Sequence, residues 1–292
     1  MAIESLVSEV PTPPRHMVPE RGSIVELRRL RLELAGALID QVDLTTAVER
    51  IRGFLRSGSP HHVMTVNLDF LSIAQRDSEF RQTLNGADLA VADGMPLVWA
   101  SRLKGQPLAQ RLTGVELVGE SCRLAAEMGR GVFLLGAAPG VADRAARRLE
   151  ADYPGLRVVG THSPPYRPLT AQEDQALVRM IREAAPGCLF VAFGAPRQDL
   201  WIRAHLDALQ VPVAMGVGCV LDLLAGTARR APRWMQHTGL EWSYRLIQEP
   251  GRLWRRYILD DMPMLASLVV ASVRREQPPV VVAPKPVGDS LR

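Results

Sequence analysis

Short runs that are apolar throughout, nearly all followed by a longer amphipathic one, constrain this chain more than any other feature of it. The runs are His62 to Val66, Leu89 to Ala92, Gly131 to Leu135, Leu156 to Gly160, Cys188 to Phe193 and Pro212 to Val217. A strand with no polar face belongs in a parallel sheet covered on both sides, and right-handed crossovers make such a sheet doubly wound. The helical partners are legible too: in Thr170 to Ala185, Ala176, Leu177, Met180, Ile181 and Ala184 recur at helical spacing behind a Thr170 cap. The expected class is α/β, a Rossmann-like doubly wound, mostly parallel sheet with helices on both faces and a helical C-terminal appendage. Before the sheet, "LRLELAGALIDQVD" alternates in two short runs around Ala35-Gly36 and predicts a hairpin.

The ends read differently from this middle. The start, to about Gly22, is Pro-rich and polar without an apolar signal-peptide core, so residues 1–22 are expected to be a disordered extension. Residues 23–238 then form the α/β core, 239–275 the Arg- and aromatic-rich appendage, and 276–292 a fraying Pro-rich tail. The apolar tract Met262 to Val273 falls short of the roughly 20 residues a membrane-spanning helix needs. Cys122, Cys188 and Cys219 lie far apart among apolar neighbours and read as reduced core residues of a cytosolic protein. A formal charge of +4 is too mild to point to a partner, so any charge argument rests on local clusters.

In a doubly wound sheet the ligand crevice lies beyond the carboxyl ends of the strands. Thr65, Asn67 and Asp93 all stand at such ends. Position alone leaves two readings open: cleft-facing side chains, or, for Asp93, a cap on the helix starting near Met95, with Thr65 and Asn67 merely ending a strand. Three further strand ends carry Gly turns, "LLGAAPGVADRAARRL" with Gly136, "FVAFGAPRQDLW" with Gly194 and Gln198, and "AMGVGCVLDLLAG" with Gly218. Such turns bring backbone N–H groups close to a ligand, and three in one sheet argue for a nucleotide or phosphorylated one.

Neither G-x-G-x-x-G nor a Walker-type G-x-x-x-x-G-K-[ST] occurs, which counts against a dinucleotide-dependent oxidoreductase on the same sheet. There is also no D-x-D pair to hold a divalent cation on a diphosphate, and arginine is the obvious substitute. "GTARRAPRWMQHTGLEWSYRLIQEPGRLWRRYILDD" supplies it: Arg229, Arg230, Arg233, Arg245, Arg252, Arg255 and Arg256, interleaved with Trp234, Trp242, Tyr244, Trp254 and Tyr257. This density suits phosphates and a lipid surface; a nucleic-acid binder is the alternative from another class, and for most of these residues packing on the core is the plainer role.

Taken in order, "TVNLDF", "ADLAVADGMPLVWASRLKGQPLAQRLTG", "VFLLGAAPGVADRAARRLEADYPGL", "FVAFGAPRQDLWI", "GVGCVLDLLAGTARRAPRWMQHTGLEWSYRL" and "EPGRLWRRY" resemble the WecG/TagA/CpsF bacterial glycosyltransferases over about Leu32 to Tyr257. The resemblance implies an inverting enzyme that moves a hexose-type sugar (glucose, galactose, N-acetylmannosamine or its uronic acid) from a UDP donor to a polyprenyl-diphosphate-linked saccharide, at the cytoplasmic face of the bacterial inner membrane. It implies Asp93 as catalytic base with Thr65 and Asn67 beside it, and Arg111, Gln198, Arg245, Arg252 and Arg255 around the donor diphosphate. No cofactor, no metal and no nucleic acid enter this reading; a membrane surface met through the appendage is its expected partner, and the Met262 to Val273 run leaves two readings open, a contact with lipid headgroups or a subunit interface of a homo-oligomer. Two positions depart from the common pattern, Arg197-Gln198-Asp199 for Lys-Gln-Glu and Leu221 for Phe, and neither touches the base.

Overall fold

The computed structural model describes residues 29–232, 234–235, 240–274 and 280–282. It opens with the expected hairpin, β1 (Arg29–Leu34) and β2 (Ala37–Asp40). Ala35 and Gly36 both take positive φ, 51° and 79°, as the tightest hairpin turn requires. The predicted N-terminal extension 1–22 lies outside the described residues.

Six parallel strands follow: β3 (His62–Val66), β4 (Leu89–Ala92), β5 (Gly131–Gly136), β6 (Arg157–His162), β7 (Cys188–Ala192) and β8 (Val213–Gly216), in the spatial order β4-β3-β8-β7-β5-β6. The helices before, between and after them are α1 (Leu44–Ser57), α2 (Leu68–Arg76), α3 (Ser78–Asn85), α4 (Met95–Leu103), α5 (Gly114–Glu127), α6 (Val141–Asp152), α7 (Ala171–Ala184), α8 (Arg197–Leu209) and α9 (Val220–Leu224). Thr170 caps α7 as its sequence predicts, within a reciprocal pair with Glu173.

Strand alternation sorts the core into two faces. Val63, Leu89, Val91, Leu134, Phe190 and Met215 pack with α1, α5, α6 and α9. Met64, Val66, Ala90 and Ala92 turn the other way, onto the hairpin, α2, α3 and α4, while Phe133, Leu135, Leu189 and Val191 meet α7 and α8. Both faces are covered, so the sheet is doubly wound as expected. The chain leaves β3 toward one face and its neighbour β8 toward the other, and between two such strands a crevice opens at their carboxyl ends.

The open edge of β4 is closed by a side chain. Asp40, 1% exposed, accepts from the Ala90 amide at 2.8 Å, pairs with Arg50 at 2.6 Å and lies 3.3 Å from the buried Arg31. A carboxylate among two guanidinium groups and an amide is thereby satisfied where water does not reach.

The appendage comprises α10 (Glu241–Gln248), α11 (Pro250–Arg255), a π-helical turn Arg256–Asp261 and α12 (Met262–Arg274). It folds back on the core through Leu253, Tyr257, Met264 and Leu268, all buried, each contributing roughly 2 kcal/mol of apolar burial. Arg256 lies 3.3 Å from Asp69 of α2, and Arg76 pairs with Asp260 at 2.6 Å. Within the tail expected to fray from residue 276, Val280–Val282 form β9, antiparallel to β1, because three β-branched residues complete the hairpin's unpaired edge. The rest of that tail lies outside the described residues. Among the described residues no helix is long and apolar enough to cross a membrane.

Candidate active site

Thr65 and Asp93 meet because of register. Thr65 pairs with Val91 across β3 and β4, and the Asp93 amide continues the ladder to the Val66 carbonyl at 2.7 Å. By strand alternation both side chains point to the α5 face. There Gly114, the first residue of α5, comes close: a β-carbon at that position would lie 3.6 Å from Thr65 Oγ1 and 3.9 Å from Asp93 Oδ2. The Gly114 amide donates to Asp93 Oδ2 at 3.2 Å. Asp93 therefore does not cap the helix behind it; α4 starts at Met95, after Gly94, with no side-chain cap, and Asp93 is held instead by the start of α5. The α5 start is itself well built, with Thr113 and Glu116 capping each other's backbone.

Asp93 is half-buried. Burial pushes its carboxyl up to about 7, further raised by the Glu241 carboxylate and opposed by the Gly114 amide and the Arg111 and Arg245 guanidinium groups. A carboxylate with that proton affinity is poised to take a proton from a hydroxyl near neutral pH, which an ordinary solvated Asp is too weak a base to do well.

The other candidates divide into those brought to this acid and those that are not. Arg111 stands in the loop before α5, ion-paired to Glu241 of α10 at 3.2 Å. Arg245, one turn further along α10, donates to the Cys219 thiol in the turn between β8 and α9. Gln198, buried at the start of α8, accepts from the Gly218 amide at 3.0 Å and lies against Gly216, where a β-carbon would sit 2.4 Å from its Nε2. Gln198 thus links the turns after β7 and β8, and the Gly218 amide is already used. Gly194 has open space where a side chain would be, at φ 78°. Gly136 is needed by packing: at φ 100° a β-carbon would lie 2.7 Å from the Ala192 carbonyl oxygen. Asn67 does more than end a strand: it caps α2, its Oδ1 accepting from the Phe70 amide at 3.2 Å. Arg252 and Arg255 sit in α11, and Arg255 is exposed with its guanidinium 5.5 Å over the Trp254 ring. Asp199, in α8, is fully buried, 3.4 Å from His62 Nε2.

Three participants were missed by sequence reasoning. Gly114 had a signal, the Thr113-x-x-Glu116 pattern that marks a helix start. Glu241 and the Arg245 seat at Cys219 had none, since each depends on how the appendage folds back. Among the described residues no group of three or more His, Cys, Asp or Glu side chains is placed to hold a metal ion.

Residues 32–278 match the glycosyl transferase WecG/TagA/CpsF family. Proteins of Staphylococcus aureus strains MW2 and NCTC 8325 / PS 47, each named N-acetylglucosaminyldiphosphoundecaprenol N-acetyl-beta-D-mannosaminyltransferase, are 31% identical over 247 residues, covering 84% of this chain and 94% of each relative.

Proposed function

We propose, from the premise that the chain belongs to the WecG/TagA/CpsF glycosyl transferase family, that it moves a hexose-type sugar from a UDP donor, with inversion, to a polyprenyl-diphosphate-linked saccharide. The relatives' names make N-acetylmannosamine the first donor sugar to try and an N-acetylglucosaminyl diphospholipid the first acceptor. The observation that carries the reading is Asp93: a half-buried carboxyl at the mouth of the sheet, its proton affinity raised to about 7, between arginines of the core and the appendage.

In this mechanism the acceptor hydroxyl attacks the anomeric carbon from the face opposite UDP while Asp93 takes its proton; the C–O bond to the diphosphate breaks as the new C–O bond forms. Thr65 orients the hydroxyl or the acid, with Asn67 at the start of the next helix. Negative charge grows on the departing diphosphate, and Arg111 and Arg245 neutralise it, aided by Arg252 and Arg255 once α11 moves in. In a site poor in water, one such donor lowers the barrier by about 3 kcal/mol. Backbone turns at Gly136 and Gly194, with Gln198 steadying Gly218, shape the donor's seat. The exposed apolar side chains of the appendage, Trp254, Ile258, Leu259, Val269 and Val270, lie on a membrane surface where the lipid acceptor is found.

The test is UDP release by the full-length protein over a panel of UDP-sugars, with and without a short-chain lipid-diphosphate saccharide. Asp93→Asn is expected to lower the rate at least about 1,000-fold while UDP affinity stays within a few-fold. Full activity in that variant would remove Asp93 as the base.

A further inference from the structure

The groups around Asp93 include a second carboxylate that the mechanism above does not use. Glu241 opens α10, and its two oxygens reach two separate loops of the core: Oε2 is 3.2 Å from Arg111 Nη1, before α5, and Oε1 is 3.9 Å from Arg230 Nε, after α9. Helix α10 has no side-chain N-cap and none of its residues is buried, so apolar packing holds it weakly. Four residues on from Glu241, and so on the same helix face, Arg245 crosses to Cys219 in the turn between β8 and α9.

We propose that Glu241 is a positioning residue, which by pairing with Arg111 and Arg230 seats the helix carrying Arg245 over the sheet's carboxyl edge and balances the positive charge facing Asp93. This rests on the reading of Asp93 as the base. The charged and polar groups facing Asp93 come from each element packed around it: Arg111 from the loop before α5, the Gly114 amide from α5, and Glu241 and Arg245 from α10. Take away the Glu241 charge, and two guanidinium groups face the base with no opposing anion. Asp93 then ionises at lower pH and becomes a weaker base.

The experiment compares full-length wild type, Glu241→Gln and Arg230→Gln. The pH profile of kcat/KM for UDP release is measured with the best donor of the panel and a short-chain lipid-diphosphate saccharide, alongside a carbon-13 NMR titration of the Asp93 carboxyl that needs no substrate. For Glu241→Gln the acid limb and the NMR midpoint both move down by on the order of one pH unit, and the plateau rate falls about tenfold. Arg230→Gln moves both the other way, because Glu241 loses a counter-charge. Unmoved midpoints in both variants, or a rate lost equally at every pH with the midpoint unchanged, overturn the positioning role even where Asp93→Asn is inactive. An active Asp93→Asn protein instead overturns the reading of the base, a different result from a different variant.

Discussion

At the scale of single residues, the site is a contest between desolvation and charge. Asp93 is pushed up to about 7 chiefly by burial, although an amide and two guanidinium groups pull the other way. The consequence for stability has a definite sign. A folded-state value above the unfolded 3.8 means the folded protein prefers the protonated acid, so the contribution of Asp93 to stability is most favourable at low pH and falls as pH rises from about 4 to about 7. Asp93→Asn, which cannot ionise, is therefore expected to be more stable than wild type at pH 8, by about 2 kcal/mol once the water reaching a half-buried group is allowed for. That is several °C in Tm, and the gain shrinks as pH falls toward 4. Thermal melts of the two proteins across this range check it; equal Tm values at pH 8 would mean the carboxylate carries no burial penalty. The surroundings of Asp93 were half legible. Its place at a strand end could be read from the chain, but whether it caps α4 could not, and only the Gly114 amide, donating to it from the start of α5, shows that it does not.

Elements show which local signals win. The strands and the α7 cap followed their sequence closely because apolar runs and capping pairs act over a few residues. Asn67 is the instructive case: it was singled out for the site, and its plainest work is to begin α2. Asn67→Ala is expected to cost about 1 kcal/mol of stability through the lost cap, whereas Asn67→Asp, which still offers an oxygen to the Phe70 amide, should melt with wild type. Denaturant unfolding measures both. A stable Asp variant with reduced UDP release would reveal a second role facing the cleft, where the new charge would stand close to Asp93. Gly136 carries the same lesson in reverse. A glycine read as a ligand-facing turn is demanded by the Ala192 carbonyl packed against it. Local sequence says that a side chain is absent, and the neighbour that forbids it comes from a strand more than fifty residues away.

For the whole molecule, the appendage is an amphipathic layer with one face on the core. Leu253, Tyr257, Met264 and Leu268 are buried, while Ile258 and Leu259 remain 49% and 58% exposed, and Trp254, Val269 and Val270 are exposed as well. Liposome flotation tests whether lipid covers that outer face. The full-length protein is expected to float with vesicles containing anionic lipid, and Ile258→Glu with Leu259→Glu to reduce the floated fraction severalfold without lowering Tm. Undiminished flotation would place the contact elsewhere on the chain. What the chain determined by itself was the layered α/β plan, the hairpin turn, the strand ends and the type of residue waiting at each, because periodicity and turn chemistry are short-range and every strand must hide both faces. What tertiary structure alone decided was who meets at the mouth of the sheet: Gly114 against Asp93, Glu241 between Arg111 and Arg230, Arg245 on Cys219. Those contacts join segments far apart in the chain, so they exist only after the sheet, its helices and the returning appendage have come together, and no short-range pattern in the sequence can announce them.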